Sequence, residues 1–119
     1  MLTQLEVCSR FDTEFVEAPL GSTVGVSENI GSSTMPMNGM RINPLGNSSG
    51  WFLWQGEELS QADDFFTPLH TSHLCQRCPS VVKYLGLPPG WRFLITLDYE
   101  DVWFDPTLLE SSPETGASL

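Results

Sequence analysis

Apolar positions gather in the second half of the chain. Eleven of its thirteen aromatic residues lie between Trp51 and Phe104, so the heavy part of any core must come from that stretch. Within it, Trp91-Arg92-Phe93-Leu94-Ile95-Thr96 follows the rigid turn Pro88-Pro89-Gly90 and is aromatic and β-branched, which predicts a strand. Asp98-Tyr99-Glu100 turns the chain and Val102-Trp103-Phe104 returns it, predicting an antiparallel hairpin that ends at Pro106. Trp51-Phe52-Leu53-Trp54 is apolar at both parities. Such a strand belongs in the middle of a sheet, covered on both sides. Upstream, Thr23-Val24-Gly25-Val26 reads as a strand, and Met40-Arg41-Ile42 as a short one that alternates apolar and polar. Residues 31–39 read as a loop and 44–50 as a turn-rich connection.

Between Leu69 and Leu85 the apolar positions Leu69, Leu74, Val81, Val82 and Leu85 suit helix. Pro79 lacks the N–H that an interior turn needs, so two helices are expected, Pro68 to Cys75 and Pro79 to Leu85, with Gly86 as a cap. Residues 1–21 carry Phe11, Phe15 and Val16 among many charges. They predict a loosely attached N-terminal segment with at most a short strand. Residues 110–119 (ESSPETGASL) predict a flexible tail. The expected fold class is α+β: one domain over 22–109, with a mostly antiparallel sheet of four to five strands and one or two short helices on one face.

Length and composition narrow the function. A chain of 119 residues fits one domain, and 40% hydrophobic content argues against disorder. No apolar run is long enough for a transmembrane helix, and Met1 to Glu6 lacks the basic start of a secretory signal. Three cysteines, Cys8, Cys75 and Cys78, give no disulfide framework, so a cytoplasmic location is expected. Fifteen Asp and Glu against five Lys and Arg give a net charge of −10. That field repels nucleic acid and anionic membrane surfaces and favours a basic protein partner.

Three groups of residues could carry chemistry. Gly46-Asn47-Ser48-Ser49-Gly50 matches the G-x-S-x-G nucleophile elbow, which would make Ser48 the nucleophile of a small hydrolase. The elbow needs a strand running into a helix, whereas these glycines lead into the Trp51 strand. His70, His73, Cys75 and Cys78 offer four zinc donors, or a Cys-x-x-Cys redox pair. A pitch of about 100° per residue spreads the four over roughly 200° of a helix, so one straight helix cannot aim them at one ion. The carboxylates Glu57, Glu58, Asp63 and Asp64 mark one acidic loop, and Glu100, Asp101 and Asp105 surround the last hairpin. These seven are the candidate partner-binding residues, with no catalytic residue and no cofactor expected.

Several stretches carry a family resemblance. Ser49-Gly50-Trp51-Phe52 through Gly56-Glu57-Glu58 resembles the SGW…GEE signature of small bacterial immunity proteins. Phe65-Phe66-x-Pro68-Leu69-His70-x-x-His73-Leu74 is similar to the same group. So are Cys78-Pro79-x-Val81-x-x-Tyr84-Leu85-Gly86-Leu87-Pro88-Pro89-Gly90-Trp91-Arg92-Phe93-Leu94-Ile95 and Tyr99-Glu100-Asp101-Val102-Trp103-Phe104-Asp105. The chain thus resembles the immunity-protein class numbered thirty-three and its relatives, which accompany polymorphic toxins, over about residues 22–109. The resemblance implies a protein that binds and neutralises a cognate toxin without cofactor or catalytic residues. Where that toxin cuts nucleic acid, an acidic protein can take the place of phosphates in its basic groove.

Overall fold

The computed structural model describes residues 3–60 and 62–110. In chain order the elements are α1 (Gln4–Arg10), β1 (Thr23–Val26), β2 (Met37–Arg41), β3 (Ser48–Gln55), β4 (Thr67–His70), α2 (Thr71–Arg77), a 3-10 helix (Pro79–Tyr84), β5 (Trp91–Ile95), β6 (Glu100–Phe104) and α3 (Thr107–Glu110). The strands form one six-stranded sheet in the order β4-β1-β3-β2-β5-β6. The β1–β3 pair is parallel, and every other pairing is antiparallel. The fold is therefore α+β, with a mostly antiparallel open sheet. No helix among the described residues is long and apolar enough to cross a membrane.

Alternation along the strands sorts side chains between two faces. On one face Val24, Val26, Trp51, Leu53 and Phe93 share a buried cluster with Val7 and Cys8 of α1, Leu74 of α2, and Val81 and Tyr84 of the 3-10 helix. Packing there depends on a glycine. Phe93 lies opposite Gly39, and a Cβ at that position would overlap the phenyl ring. The ring instead lies across β2, stacked on Tyr84 with centroids 4.7 Å apart and 5.7 Å from Trp51.

A buried guanidinium ties the layers together. Arg41 is 1% exposed. Its Nε donates to Ser49 O at 3.0 Å, its Nη1 to Val16 O at 2.7 Å, Leu87 O at 2.8 Å and Leu85 O at 3.3 Å, and its Nη2 to Glu17 O at 3.0 Å. The Trp51 ring lies 5.7 Å from the guanidinium carbon, and Trp51 Nε1 donates to the same Leu85 carbonyl. No carboxylate pairs with Arg41 among the described residues, where the ion pairs are Arg10–Glu100 and Arg92–Asp105. Burial pulls its pKa down to about 10, so it stays charged at neutral pH. Burying an ion costs several kcal/mol, and charge-assisted hydrogen bonds of about 1.5–3 kcal/mol each offset that cost when every donor is used.

Three expectations are corrected. The N-terminal segment is not loosely attached and holds no strand. Thr3 and Glu6 form a reciprocal capping box that starts α1, which buries Val7 and Cys8 completely. Cys8 Sγ then donates to Gly86 O, Val16 N to Gly86 O, and Gln4 Nε2 to Val82 O, so the segment is sewn along the 3-10 helix. Second, the sheet has six strands, not four to five. Residues 67–70, expected to begin a helix at Pro68, pair antiparallel with β1, and α2 starts only at Thr71. Proline is tolerated there because β4 is an edge strand. Third, β2 spans Met37–Arg41, so it begins inside residues 31–39, which were expected to form a loop, and stops before Ile42; its Arg41 turns inward. Of the expected flexible tail, residues 111–119 lie outside the described residues.

Arg41→Met should cost about 3–5 kcal/mol, because it strands buried carbonyls and removes the link between segments. Arg41→Lys should recover only part of that loss, since an ammonium cannot reproduce the planar fork. Urea denaturation of the two variants measures both. Gly39→Ala, which crowds Phe93, should cost about 1–3 kcal/mol in the same assay.

Candidate functional site

The loop between β3 and β4 carries four of the candidate carboxylates: Glu57, Glu58, Asp63 and Asp64, all exposed. It is held down by phenylalanines. Phe66 packs edge-on against Phe52 at 5.0 Å and against Trp54 at 6.1 Å, and Phe65 packs on Phe66 at 4.8 Å. Trp54 is consequently 4% exposed although it faces away from the helices. Gly25 makes room for this arrangement, since a Cβ there would sit 2.6 Å from the Phe52 ring. Asp63 and Asp64 are thus set directly beside the apolar residues that seat the loop.

Beside this loop, at the carboxyl ends of the parallel strands β1 and β3, lies an open groove of about 900 Å³. Glu28, Glu57, Glu58 and Asp64 line it together with Phe65, and Arg77 is the cation among its lining residues. Its floor is rigid. Gln55 Oε1 accepts from Gly31 N at 2.5 Å, and Gln55 Nε2 donates to Ser32 O and Thr34 O at 2.8 Å each. Ser27 and Asn29 brace the rim, with Asn29 Nδ2 donating to Gln55 O at 3.0 Å.

The three candidates of the last hairpin occupy different settings. Asp101 is exposed and pairs across from Leu94. Glu100 accepts from Tyr84 Oη and from Arg10 Nη2, the latter at 2.6 Å. Burial raises the Glu100 pKa, but the hydrogen bonds from Tyr84 and Arg10 and the charges of Arg10 and Lys83 outweigh it, leaving the carboxyl below its ordinary 4.5. Asp105 accepts from Thr107 N, Thr107 Oγ1 and Arg92 Nη1, capping α3. The Thr107 hydroxyl bond, with Arg92, pulls its pKa below the ordinary 3.8. Glu100 and Asp105 are therefore occupied within the chain, whereas the loop carboxylates and Asp101 form no ion pair among the described residues.

The His/Cys cluster does not converge. His70 and His73 are exposed with ring centroids 5.6 Å apart, Cys75 is half-buried, and Cys78 is buried in the core. Among the described residues no group of three or more His, Cys, Asp or Glu is placed to hold a metal ion. Burial pushes both thiols above the usual 9.0, at Cys78 against hydrogen bonds with Ser80 and Gly31 and the charge of Arg77. A redox thiol is tuned the other way. Ser48 is the first residue of β3, where its hydroxyl accepts from Gly50 N at 3.0 Å, so the glycine-rich turn feeds a strand and not the helix a nucleophile elbow needs.

A protein-family model, the Imm33-like domain, matches residues 3–105. The chain belongs to the Imm33-like family. The match runs over the whole sheet and takes in α1, so the N-terminal helix is part of the Imm33-like domain, although the sequence resemblance began only near residue 22. Membership suggests an immunity protein, a non-enzymatic role and, in general terms, a toxin partner. Neither among the curated proteins nor among the solved structures is there a match to this chain.

The Tyr84–Glu100–Arg10 junction makes stability of the Imm33-like domain depend on acid. A carboxylate with a depressed folded pKa stabilises the fold above its unfolded pKa, and that contribution is lost as pH falls through the folded value. Stability should therefore decline from near pH 4.5 downward. Glu100→Gln should flatten that decline in urea titrations run at a series of pH values.

Proposed function

We propose that this chain binds a cognate toxin domain in the cytoplasm and neutralises it by protein–protein contact, with no bond made or broken on its own surface. The observation that carries this reading is membership of the Imm33-like family joined to an acidic loop clamped in place by Phe65 and Phe66. A net charge of −10 speeds encounter with a basic partner. Glu57, Glu58, Asp63 and Asp64 are the leading contact residues, with Asp101 on the hairpin. Glu100, which faces the helical layer, and Asp105 would act chiefly by shaping that hairpin, because their carboxylates are already paired. A basic substrate groove on a nuclease-type toxin would accept such carboxylates where it accepts phosphates. The metal or redox module built on His70, His73, Cys75 and Cys78 is not favoured, given their dispersed placement.

Co-expression tests the reading. A cognate toxin domain, sought first in the neighbouring gene, should kill cells alone and spare them when the chain is present, whereas death in both cases overturns it. Converting Glu57, Glu58, Asp63 and Asp64 to their amides should slow association about tenfold at low salt, with the gap closing as ionic strength rises. Stopped-flow binding at two salt concentrations reads that difference.

A further inference from the structure

The sheet has a second face that the helical layer does not cover. Met40, Phe52, Leu94 and Trp103 are half-buried and lie outside the core cluster, although their strand neighbours Trp51, Leu53 and Phe93 are within it. Strand pairing joins these four into one surface. Met40 pairs with Phe52 on one side and with Arg92 on the other, and Arg92 pairs with Trp103. Leu94 stands two residues along from Arg92 on the same face. Together they make an apolar strip across four strands that steps around Asn38 and Arg92, which occupy the positions between them on the same face.

Charge frames the strip. At the β3 border stands the acidic loop, because Phe66, which seats on Phe52, follows Asp63 and Asp64 by two or three residues. At the β6 border stands Asp101, opposite Leu94. The cation on this face, Arg92, lies 5.5 Å from the Trp103 ring and pairs with Asp105, while its Nε has no acceptor within the described residues. The register also brings the β5–β6 turn to the same end of the sheet as the acidic groove, since Met37 pairs with both Ile95 and Gln55. In that turn Leu97 is 92% exposed and Tyr99 55% exposed. Soluble proteins seldom leave an apolar patch bordered by polar residues without using it for association, and interfaces favour an aromatic centre with a charged rim.

We propose that this second sheet face is the docking surface, and that its occupant is a basic protein surface presenting an apolar anchor. The anchor seats on Met40, Phe52, Leu94 and Trp103, and surrounding lysines or arginines meet the Asp63–Asp64 loop and Asp101. The proposal rests on the toxin-binding reading and names the surface that reading uses. A second copy of this chain does not fit the charge, because like carboxylates would face one another across the contact.

The probe is the toxin domain that the co-expression experiment identifies as neutralised by this chain, purified with its activity removed by mutation. Met40→Gln combined with Leu94→Gln should weaken its binding about thirtyfold, the scale of an interface hot spot, while Leu5→Ser and Leu20→Ser on exposed positions away from this face leave it unchanged. Hydroxyl-radical footprinting of the wild-type complex supplies a readout that needs no variant to fold. Protection is expected at Met40, Leu94 and Trp103. Wild-type binding with an unprotected second face, or with full affinity in a folded double variant, overturns the docking surface and leaves the toxin-binding reading standing. Wild-type chain that fails to bind the domain overturns both. A wild-type dimer in sedimentation that becomes monomeric in the double variant assigns the face to a second copy and overturns the proposal.

Discussion

Three parts of the chain that are distant in sequence meet at the guanidinium of Arg41. One side chain donates to Val16 and Glu17 of the N-terminal segment, Ser49 of β3, and Leu85 and Leu87 beyond the 3-10 helix. Each acceptor is a backbone carbonyl, and a buried carbonyl needs a hydrogen-bond donor; the one at Leu85 also receives the Trp51 indole N–H. A salt bridge could satisfy only one neighbour. Five backbone bonds fix the path of three segments at once, and they set where the helical layer rests on the sheet. The Phe93–Tyr84 stack and the Trp51 indole bond to Leu85 fit only with that layer in place.

Because Arg41 and the helices take one face of the sheet, the acidic loop has to anchor on the other. Phe65 and Phe66 do this by packing on Phe52 and Trp54, and the groove beside them inherits its acidic walls from the same loop. Only two ion pairs form among the described residues, so most of the negative charge is left facing outward. Charge, loop anchoring and a sheet face without helices are three results of one division of the sheet into two sides.

Local patterns revealed much of this. The aromatic run from Trp91 and the return through Phe104 specified the hairpin, and the double-sided apolarity of Trp51–Trp54 specified a strand inside the sheet. Pro79 separated α2 from the 3-10 helix as its missing N–H requires. The failures have physical causes. Thr67–His70 looks helical in isolation, and only the distant pairing with β1 makes it a strand. The segment before residue 22 looked too charged to pack, yet Thr3 and Glu6 already spelled a capping box. Met37 to Gly39 look like loop beside Pro36, and only pairing with β3 and β5 extends β2 back over them, while Arg41 points inward to a set of carbonyls. Of the site, the carboxylates were legible by composition. Which of them are occupied internally was not, because that depends on Tyr84, Arg10, Arg92 and Thr107 arriving from elsewhere in the chain.

The paired glycines carry a consequence for how such a molecule can change over time. Gly39 yields space to Phe93 on the inner side, and Gly25 yields space to Phe52 on the outer side, so each side of the sheet has its own lock. Replacements at Met40 or Leu94 alter the outer relief without touching the inner lock. A lineage could therefore rewrite what this molecule recognises while inheriting the same scaffold intact.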